Sequence, residues 1–156
     1  MSDALVITPQ QFLTHWQAHR RLSRRAIAAF PEDQLFTFSV GGMRPFGALA
    51  NEMLGMAVPT VRGIITDKWD SYAESTATTQ SDVLAQWDTS TTLLEELFPQ
   101  IPANRFQDVM TAFGQWKMPG YDLLLYIVDN EIHHRVQGYV YLRALGIEPP
   151  PFYDRS

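Results

Sequence analysis

Cysteine is absent from this chain of 156 residues. That absence excludes a disulfide framework, a thiolate metal site and a thiol nucleophile. Hydrophobic residues make up 46% of the chain, and a chain of about 150 residues can bury a core without covalent cross-links. We therefore expect residues 1–156 to form a single domain.

Long apolar runs are absent too. The longest, residues 123–128, is far shorter than the roughly 20 residues that a helix needs to cross a bilayer. The first ten residues lack a basic and apolar leader, so we predict a cytoplasmic protein without membrane contact. The net charge of −5 argues against general nucleic-acid binding, which needs concentrated positive charge.

The longest uninterrupted helical pattern runs from Gly120 to Gly146. Gly146 followed by Pro149 is a helix stop signal, so the pattern predicts one helix of about 26 residues and about 39 Å. At 100° per residue, one face of this helix is mostly apolar. It carries Leu123, Ile127, Asn130, His134, Gln137, Gly138, Tyr141 and Leu145.

Polar side chains interrupt the middle of that apolar face. Burying Asn130, His134 and Gln137 costs free energy unless each finds a partner. We therefore expect a pocket that holds a water, an ion or a small-molecule ligand, with Tyr141 on the same face. Asn130 and His134 lie four residues apart, the spacing at which two side chains of one helix reach the same ion.

The segment DNEIHHRVQGYVYLRALGIEPPPF resembles the last helix of the DinB/YfiT-like metalloenzyme family. The motif of that family reads roughly His-x-x-x-His-Arg-Gly-Gln, followed by Tyr-Leu-Arg and Gly-x-x-Pro-Pro. The resemblance implies an all-α four-helix bundle with long crossover connections, commonly dimeric. It also implies a divalent metal held by one histidine of the second helix and two of the last. In this chain those positions hold Glu52, Asn130 and His134, and the glycine of the motif is Val136.

The resemblance leaves two interpretations of the pocket. We favour a dimeric, stress-associated small-ligand-binding or non-catalytic domain, in which Asn130, His134, Gln137 and Tyr141 form a hydrogen-bond network. The alternative is a metal-dependent hydrolase or thiol S-transferase that acts on a small molecule. Glu52, Asn130 and His134 would then hold Mn, Mg, Fe, Ni or Zn, and an oxygen-rich set suits the first three better than Zn. Glu52 lies at the margin of an apolar stripe, so an exposed or salt-bridged carboxylate is an equal alternative.

A second imidazole pair lies in the first predicted helix. That helix begins at Thr8 and Pro9, a capping pair, and continues to about Phe30. His15 and His19 are four residues apart, which makes them a rival metal site. No acidic ligand is near them in sequence, so we interpret His19 as a hydrogen-bonded core residue at the pocket and His15 as interfacial.

The RRLSRR segment is the one basic cluster of the sequence. Arg20, Arg21, Arg24 and Arg25 can meet phosphate, and DNA contact is the minor alternative. Positive charge is also favourable towards a helix C-terminus. We therefore predict a solvated basic face.

Two further helices are predicted between the first and the last. Pro45 begins the second, and Pro59 bends it because proline cannot donate to the carbonyl of Gly55. Ser81 is the predicted N-cap of the third, which runs to Phe98.

Three connectors separate the helices. Residues 31–44 are predicted to be extended and to end in a tight turn, and residues 66–80 to form a surface crossover with Trp69 and Tyr72 folded over the bundle end. Residues 99–120 are predicted to be a structureless loop that acts as a lid or pocket wall.

A second apolar strip lies on the opposite side of the last helix. It consists of Val128, Ile132, Val136 and Tyr139. A helix that is apolar on two sides is either central to a core or shared with a partner. We predict a homodimer through this surface; coverage by the long connectors is the alternative.

Overall fold

A computed structural model describes residues 4–69 and 75–156 of the chain. Four helices form a bundle in which α1 and α2 each pack mainly against α3 and α4. The helices are α1 (Pro9–Ala29), α2 (Phe46–Thr66), α3 (Gln80–Leu97) and α4 (Gly120–Ala144). The four-helix bundle expected from the resemblance is confirmed. None of the helices within the described ranges is long and apolar enough to cross a membrane.

The start of α1 follows from its capping residues. Thr8 Oγ1 accepts a hydrogen bond from the backbone N–H of Gln11, and Gln11 Oε1 accepts one from the backbone N–H of Thr8. This reciprocal pair satisfies two amide groups that would otherwise lack partners at the helix end. Pro9 fits the first turn because its missing N–H is not needed there.

The start of α3 differs from the prediction. Thr79, not Ser81, is the N-cap, and its side chain accepts from the backbone N–H of Asp82 at 3.1 Å. Gln80, the first residue of α3, donates to the carbonyls of Ile27 and Phe30 at the end of α1. Both hydroxyl residues are competent caps, and this long-range contact favours the earlier one.

The connector before α4 was predicted to be structureless, and this prediction is wrong. It contains two 3-10 turns, Phe98–Gln100 and Ala103–Phe106, and an antiparallel hairpin of β1 (Val109–Ala112) and β2 (Trp116–Pro119). Four-residue strands are too short for sequence alternation to reveal them. The hairpin turn contains Gly114 at φ +69°, a conformation that glycine adopts without strain.

The two other connectors also depart from the prediction in part. Residues 32–37 form successive turns, with Leu35 buried beneath them, so this stretch is not extended. The tight turn at Gly41 and Gly42 is present. Trp69 packs edge-on against Phe113 at the hairpin turn, with 5.1 Å between ring centroids, while Tyr72 lies outside the described residues.

The core consists of two clusters of buried side chains stacked along the bundle. One contains Trp16, Leu94 and Phe98, and the other contains Phe46 and Trp87. The one internal glycine of α4, Gly138, lies against Phe46, and a Cβ added there would come within 2.6 Å of the ring. Gly138 therefore permits the close approach of α2 and α4 that brings the polar residues of the two helices together.

Candidate functional site

A contact between a carboxylate and an imidazole joins α2 to α4 at the position predicted from the resemblance. Glu52 Oε2 of α2 lies 2.5 Å from His134 Nε2 of α4. Arg44, which precedes α2, is 3.4 Å from the same carboxylate oxygen. His134 is buried, so its imidazole is held inside the bundle by a carboxylate that is itself partly shielded from water.

The second ring nitrogen of His134 is also engaged. His134 Nδ1 lies 2.8 Å from Gln137 Oε1, one turn further along α4. A carboxylate can only accept hydrogen bonds, so Nε2 carries a proton and donates it to Glu52. Gln137 Oε1 is also an acceptor, so Nδ1 either carries a second proton or accepts from the NH₂ group of the rotated Gln137 amide. In this arrangement, no lone pair of His134 Nε2 is directed at an ion.

Asn130 and Tyr141 have different roles around this pair. Asn130 Nδ2 points at the sulfur of Met56, 3.4 Å away, which is a weak acceptor. The Tyr141 hydroxyl donates to the backbone carbonyl of Arg44 at 2.8 Å, and burial raises the pKa of Tyr141. Tyr141 therefore supports the backbone that places Arg44 beside Glu52.

A pocket of about 220 Å³ opens next to Glu52. It lies between α2, the start of α4 and the hairpin, so one wall of the pocket comes from the connector predicted to act as a lid or wall. Most of the side chains around it are apolar or aromatic, with one carboxylate and one carboxamide. They are Glu52, Met56, Phe113, Trp116, Met118, Leu123, Tyr126, Ile127 and Asn130.

The implied metal can be tested against the geometry of its expected ligands. Two ligands about 2.1 Å from one ion, at tetrahedral or octahedral angles, lie about 3.0–3.4 Å apart. Glu52 Oε2 and His134 Nε2 are 2.5 Å apart, so they are too close to hold an ion between them. Within the described ranges, no group of three or more acidic or histidine side chains is placed to hold a metal. The residues in this arrangement do not fit the metal.

Comparison with known proteins identifies the family. The DinB family model matches residues 1–156. The chain belongs to the DinB family. The uncharacterized protein YjoA of Bacillus subtilis strain 168 is 37% identical over 79 residues, which cover 49% of this chain and 50% of YjoA. The matched region therefore spans half the length of that relative.

Solved structures of DinB-like proteins share the fold. The crystal structure of YjoA from Bacillus subtilis covers 94% of this chain and 99% of its own, with a TM-score of 0.73 and 21% identity. A DinB-like protein from Bacillus cereus ATCC 10987 covers 92% of this chain and 97% of its own, with a TM-score of 0.74 and 17% identity. These likenesses establish the bundle architecture of this DinB-family chain.

A second polar cluster of the DinB-family chain lies between α1 and α4. Glu131 Oε1 accepts from Ser23 Oγ at 2.6 Å, and its Oε2 accepts from Trp16 Nε1 at 3.2 Å. Arg135 donates to the carbonyl of His19, to Ser23 Oγ and to His19 Nδ1, at 3.1–3.2 Å. Glu131 is only 3% exposed, and these bonds satisfy both of its oxygens.

His19 belongs to this second cluster rather than to the pocket. Its side-chain partners in the described part of the chain are His15, Arg135 and Arg155. Arg135 follows His134 by about 100° around α4 and therefore faces α1. Burial, followed by the charges of Arg135, Arg155 and His15, lowers the pKa of His19 to about 4. His19 is therefore neutral at pH 7.

The spacing of His15 and His19 suits a metal ion, whereas the charges beside them do not. His15 Nε2 and His19 Nε2 are 3.2 Å apart, a spacing that two ligands of one ion would have. Arg155 lies 3.2 Å from the same nitrogen of His19, and Arg135 contacts the other ring nitrogen. Two guanidinium groups beside the pair oppose the binding of a cation.

Glu131 was not identified from the sequence as a buried group. His133, two residues further along α4, is exposed, and its ring stacks edge-on against that of His134 at 5.2 Å. The four-residue spacing of Ile127, Glu131 and Arg135 was the available signal, because residues four apart share one helix face.

The basic cluster divides into three environments. Arg20 is 1% exposed, donates to Ser90 Oγ and lies 4.4 Å from the centroid of the Trp87 ring. The expectation of a solvated face is therefore wrong for Arg20. Arg24 forms a bidentate pair with Asp88 at 2.5 and 2.8 Å. Arg21 and Arg25 contact the C-terminal residues.

Proposed function

We propose that this DinB-family protein is a non-catalytic module that binds a small, largely apolar molecule in the pocket beside Glu52. The observation that supports this proposal most strongly is the lining of the pocket. Met56, Phe113, Trp116 and Met118 provide soft and aromatic contact surface, which favours apolar ligands. Pockets of this composition, with a few polar groups that fix orientation, are typical of ligand sites.

The volume of the pocket limits the size of the ligand. At about 220 Å³, it is smaller than the roughly 300–1,000 Å³ of sites for drug-sized molecules. An apolar cavity of about 150 Å³ is enough for benzene. The proposed ligand is therefore a single-ring molecule with one polar group that reaches Glu52 or Asn130.

The polar residues behind the pocket hold its carboxylate in place. His134 and Arg44 both contact Glu52 Oε2, and Gln137 contacts the far side of the imidazole. A carboxylate fixed by two partners presents its oxygens in a constant direction, which favours a hydrogen-bond donor on the ligand. The expectation of a stress-associated role stays a prediction.

A metal-dependent hydrolase or thiol S-transferase is the second candidate. It is favoured by the convergence of Glu52 with His134 and by the position of Asn130 at the same pocket. This candidate requires the Glu52–His134 contact to open, because the two atoms are too close to share an ion.

We also propose that the protein forms a homodimer through the outer face of α4. Val136 is 54% exposed, and Tyr121, Leu125 and Val140 are exposed on the same helix, so the described connectors leave much of this surface uncovered. Of the other residues assigned to the predicted strip, Val128 is instead buried in the core, and Ile132 and Tyr139 are half-buried and packed against it. An exposed apolar stripe of this length is typical of an interaction surface.

The ligand proposal is tested with phenol, a single-ring probe with one donor, by NMR titration of the backbone amides. We expect saturable shifts confined to the hairpin and the facing turns of α2 and α4. Met118→Trp fills the pocket and should abolish the shifts. Val109→Trp, on the exposed side of the same hairpin, is the matched control and should retain them. Shifts that fail to saturate, or an equal loss in both variants, would contradict the proposal.

A further inference from the structure

The C-terminal residues lie across α1 on the side of the bundle that carries His19. Arg21 Nε donates to the carbonyl of Arg155 at 3.1 Å. Arg25 donates to the carbonyl of Asp154 and lies 3.5 Å from its carboxylate. The oxygens of this segment thus occupy positions that an external anion would take against the same arginines.

Positive groups from three parts of the chain meet under this segment. Arg135 from α4 and Arg155 from the C-terminal residues contact the two ring nitrogens of His19, and Arg25 from α1 contacts the backbone of Asp154. Glu131, the buried acid nearby, is bonded to Ser23 and Trp16, and its charge acts on Arg135. The charges of Arg135 and Arg155 contribute, after burial, to the lowered pKa of His19, which indicates a positive local potential.

Within the described part of the chain, two buried donors at this junction have no hydrogen-bond partner. They are Arg25 Nε and the Tyr139 hydroxyl. The charges of Arg135 and Arg25 act on Tyr139, and both favour its ionised form, although burial raises its pKa overall. Tyr139 follows Arg135 by four residues and therefore shares its face of α4. Buried donors are rarely left unpaired in proteins, so these two indicate an acceptor that binds from outside.

We propose that the junction of α1 and α4 beneath the C-terminal residues binds a phosphate-type oxyanion, which accepts from Arg25 and the Tyr139 hydroxyl beside the charges of Arg135 and Arg155. Donors that approach from two helices and from Arg155 match the several oxygens of a tetrahedral anion better than the two of a planar carboxylate. The Asp154 carboxylate is exposed and only loosely paired with Arg25. It is the internal group that the anion displaces.

This site is separate from the pocket beside Glu52. It uses the side of α4 that faces α1, whereas the pocket is formed by α2, the hairpin and the start of α4. The source of the anion is either free phosphate or the phosphate group of a small phosphomonoester.

Isothermal titration calorimetry at pH 7.5 tests the proposal with two probes, inorganic phosphate and glycerol 2-phosphate. Chloride holds the ionic strength constant. Saturable binding of either probe is expected, and the tighter of the two identifies the source. Tyr139→Phe removes a hydroxyl that has no protein partner. It should therefore leave the unfolding midpoint without phosphate unchanged but weaken phosphate binding about tenfold.

Two further variants separate a built site from general charge attraction. Arg24→Gln removes one positive charge from the same helix at a position paired with Asp88 and should change binding by less than about twofold. Asp154→Asn removes the competing carboxylate and should tighten binding. The proposal is overturned if neither probe binds, if Arg24→Gln weakens binding as much as Tyr139→Phe, or if Asp154→Asn weakens it.

Discussion

Acidification should destabilise the protein through His19. Its pKa is lowered from 6.5 to about 4 in the folded protein, by burial and then by the charges of Arg135, Arg155 and His15. The unfolded chain therefore takes up the proton first as pH falls. The stability that comes from keeping His19 neutral is complete above about pH 6.5. It is lost progressively as pH falls towards 4.

The size of this effect follows from the pKa difference. Each pKa unit corresponds to about 1.4 kcal/mol, so a shift from 6.5 to about 4 is worth at most about 3 kcal/mol. Between pH 7 and pH 4.5, the part that is lost is about 2 kcal/mol. That loss is a substantial fraction of the roughly 5–15 kcal/mol by which folded domains are stable.

Urea unfolding at pH 7, 5.5 and 4.5 measures this loss directly. His19→Asn keeps an acceptor for Arg135 but cannot titrate in this range. The wild type should therefore lose about 2 kcal/mol more than His19→Asn between pH 7 and 4.5. His133→Asn, at an exposed position of α4, is the control and should follow the wild type. Parallel losses in the wild type and His19→Asn would refute the reasoning.

Three other substitutions test the packing. Val136→Glu places a charge on the exposed α4 stripe and should convert dimers into monomers in sedimentation velocity; an unchanged dimer would remove that interface. Glu131→Gln leaves Arg135 without its buried counter-charge and should lower the unfolding free energy by about 3 kcal/mol; a loss below about 1 kcal/mol would contradict this. Gly138→Ala drives a methyl group into Phe46 and should cost about 1–3 kcal/mol in urea unfolding, and unchanged stability would refute the close contact.

Controls for these substitutions are available on α3. Glu95→Gln changes an exposed carboxylate of α3 and should alter stability by less than about 0.5 kcal/mol. Thr89→Glu, at an exposed position of α3, introduces a negative charge away from the α4 stripe and should leave the sedimentation coefficient unchanged.

Local signals in the sequence were sufficient for much of the fold. The capping pair of Thr8 and Pro9 and the stop at Gly146 depend on backbone hydrogen bonds that neighbouring residues determine. The convergence of Glu52 and His134 followed from the family resemblance, because positions shared with a known bundle keep their place in it. The direct bond between them was foreseen only as a salt-bridged alternative for Glu52.

Features that depend on long-range contact were not predictable from local patterns. Thr79 replaces Ser81 as a cap because Gln80 reaches the end of α1. Glu131 is buried because Ser23 and Trp16, more than 100 residues earlier in the chain, offer it donors. A single-helix projection places a carboxylate on a face without showing what lies opposite. Interhelical polar contacts of this kind follow from packing.

The Glu52–His134 contact is the feature on which the metal-free proposal depends. Elemental analysis tests this proposal most directly. The untagged protein is purified without chelator, equilibrated with Mn²⁺, Ni²⁺ or Zn²⁺, and desalted before the metal content is measured. We predict far less than one ion per chain, with no difference between the wild type and His134→Ala. About one ion per chain in the wild type, lost in His134→Ala, would contradict the proposal and favour a metal-dependent enzyme.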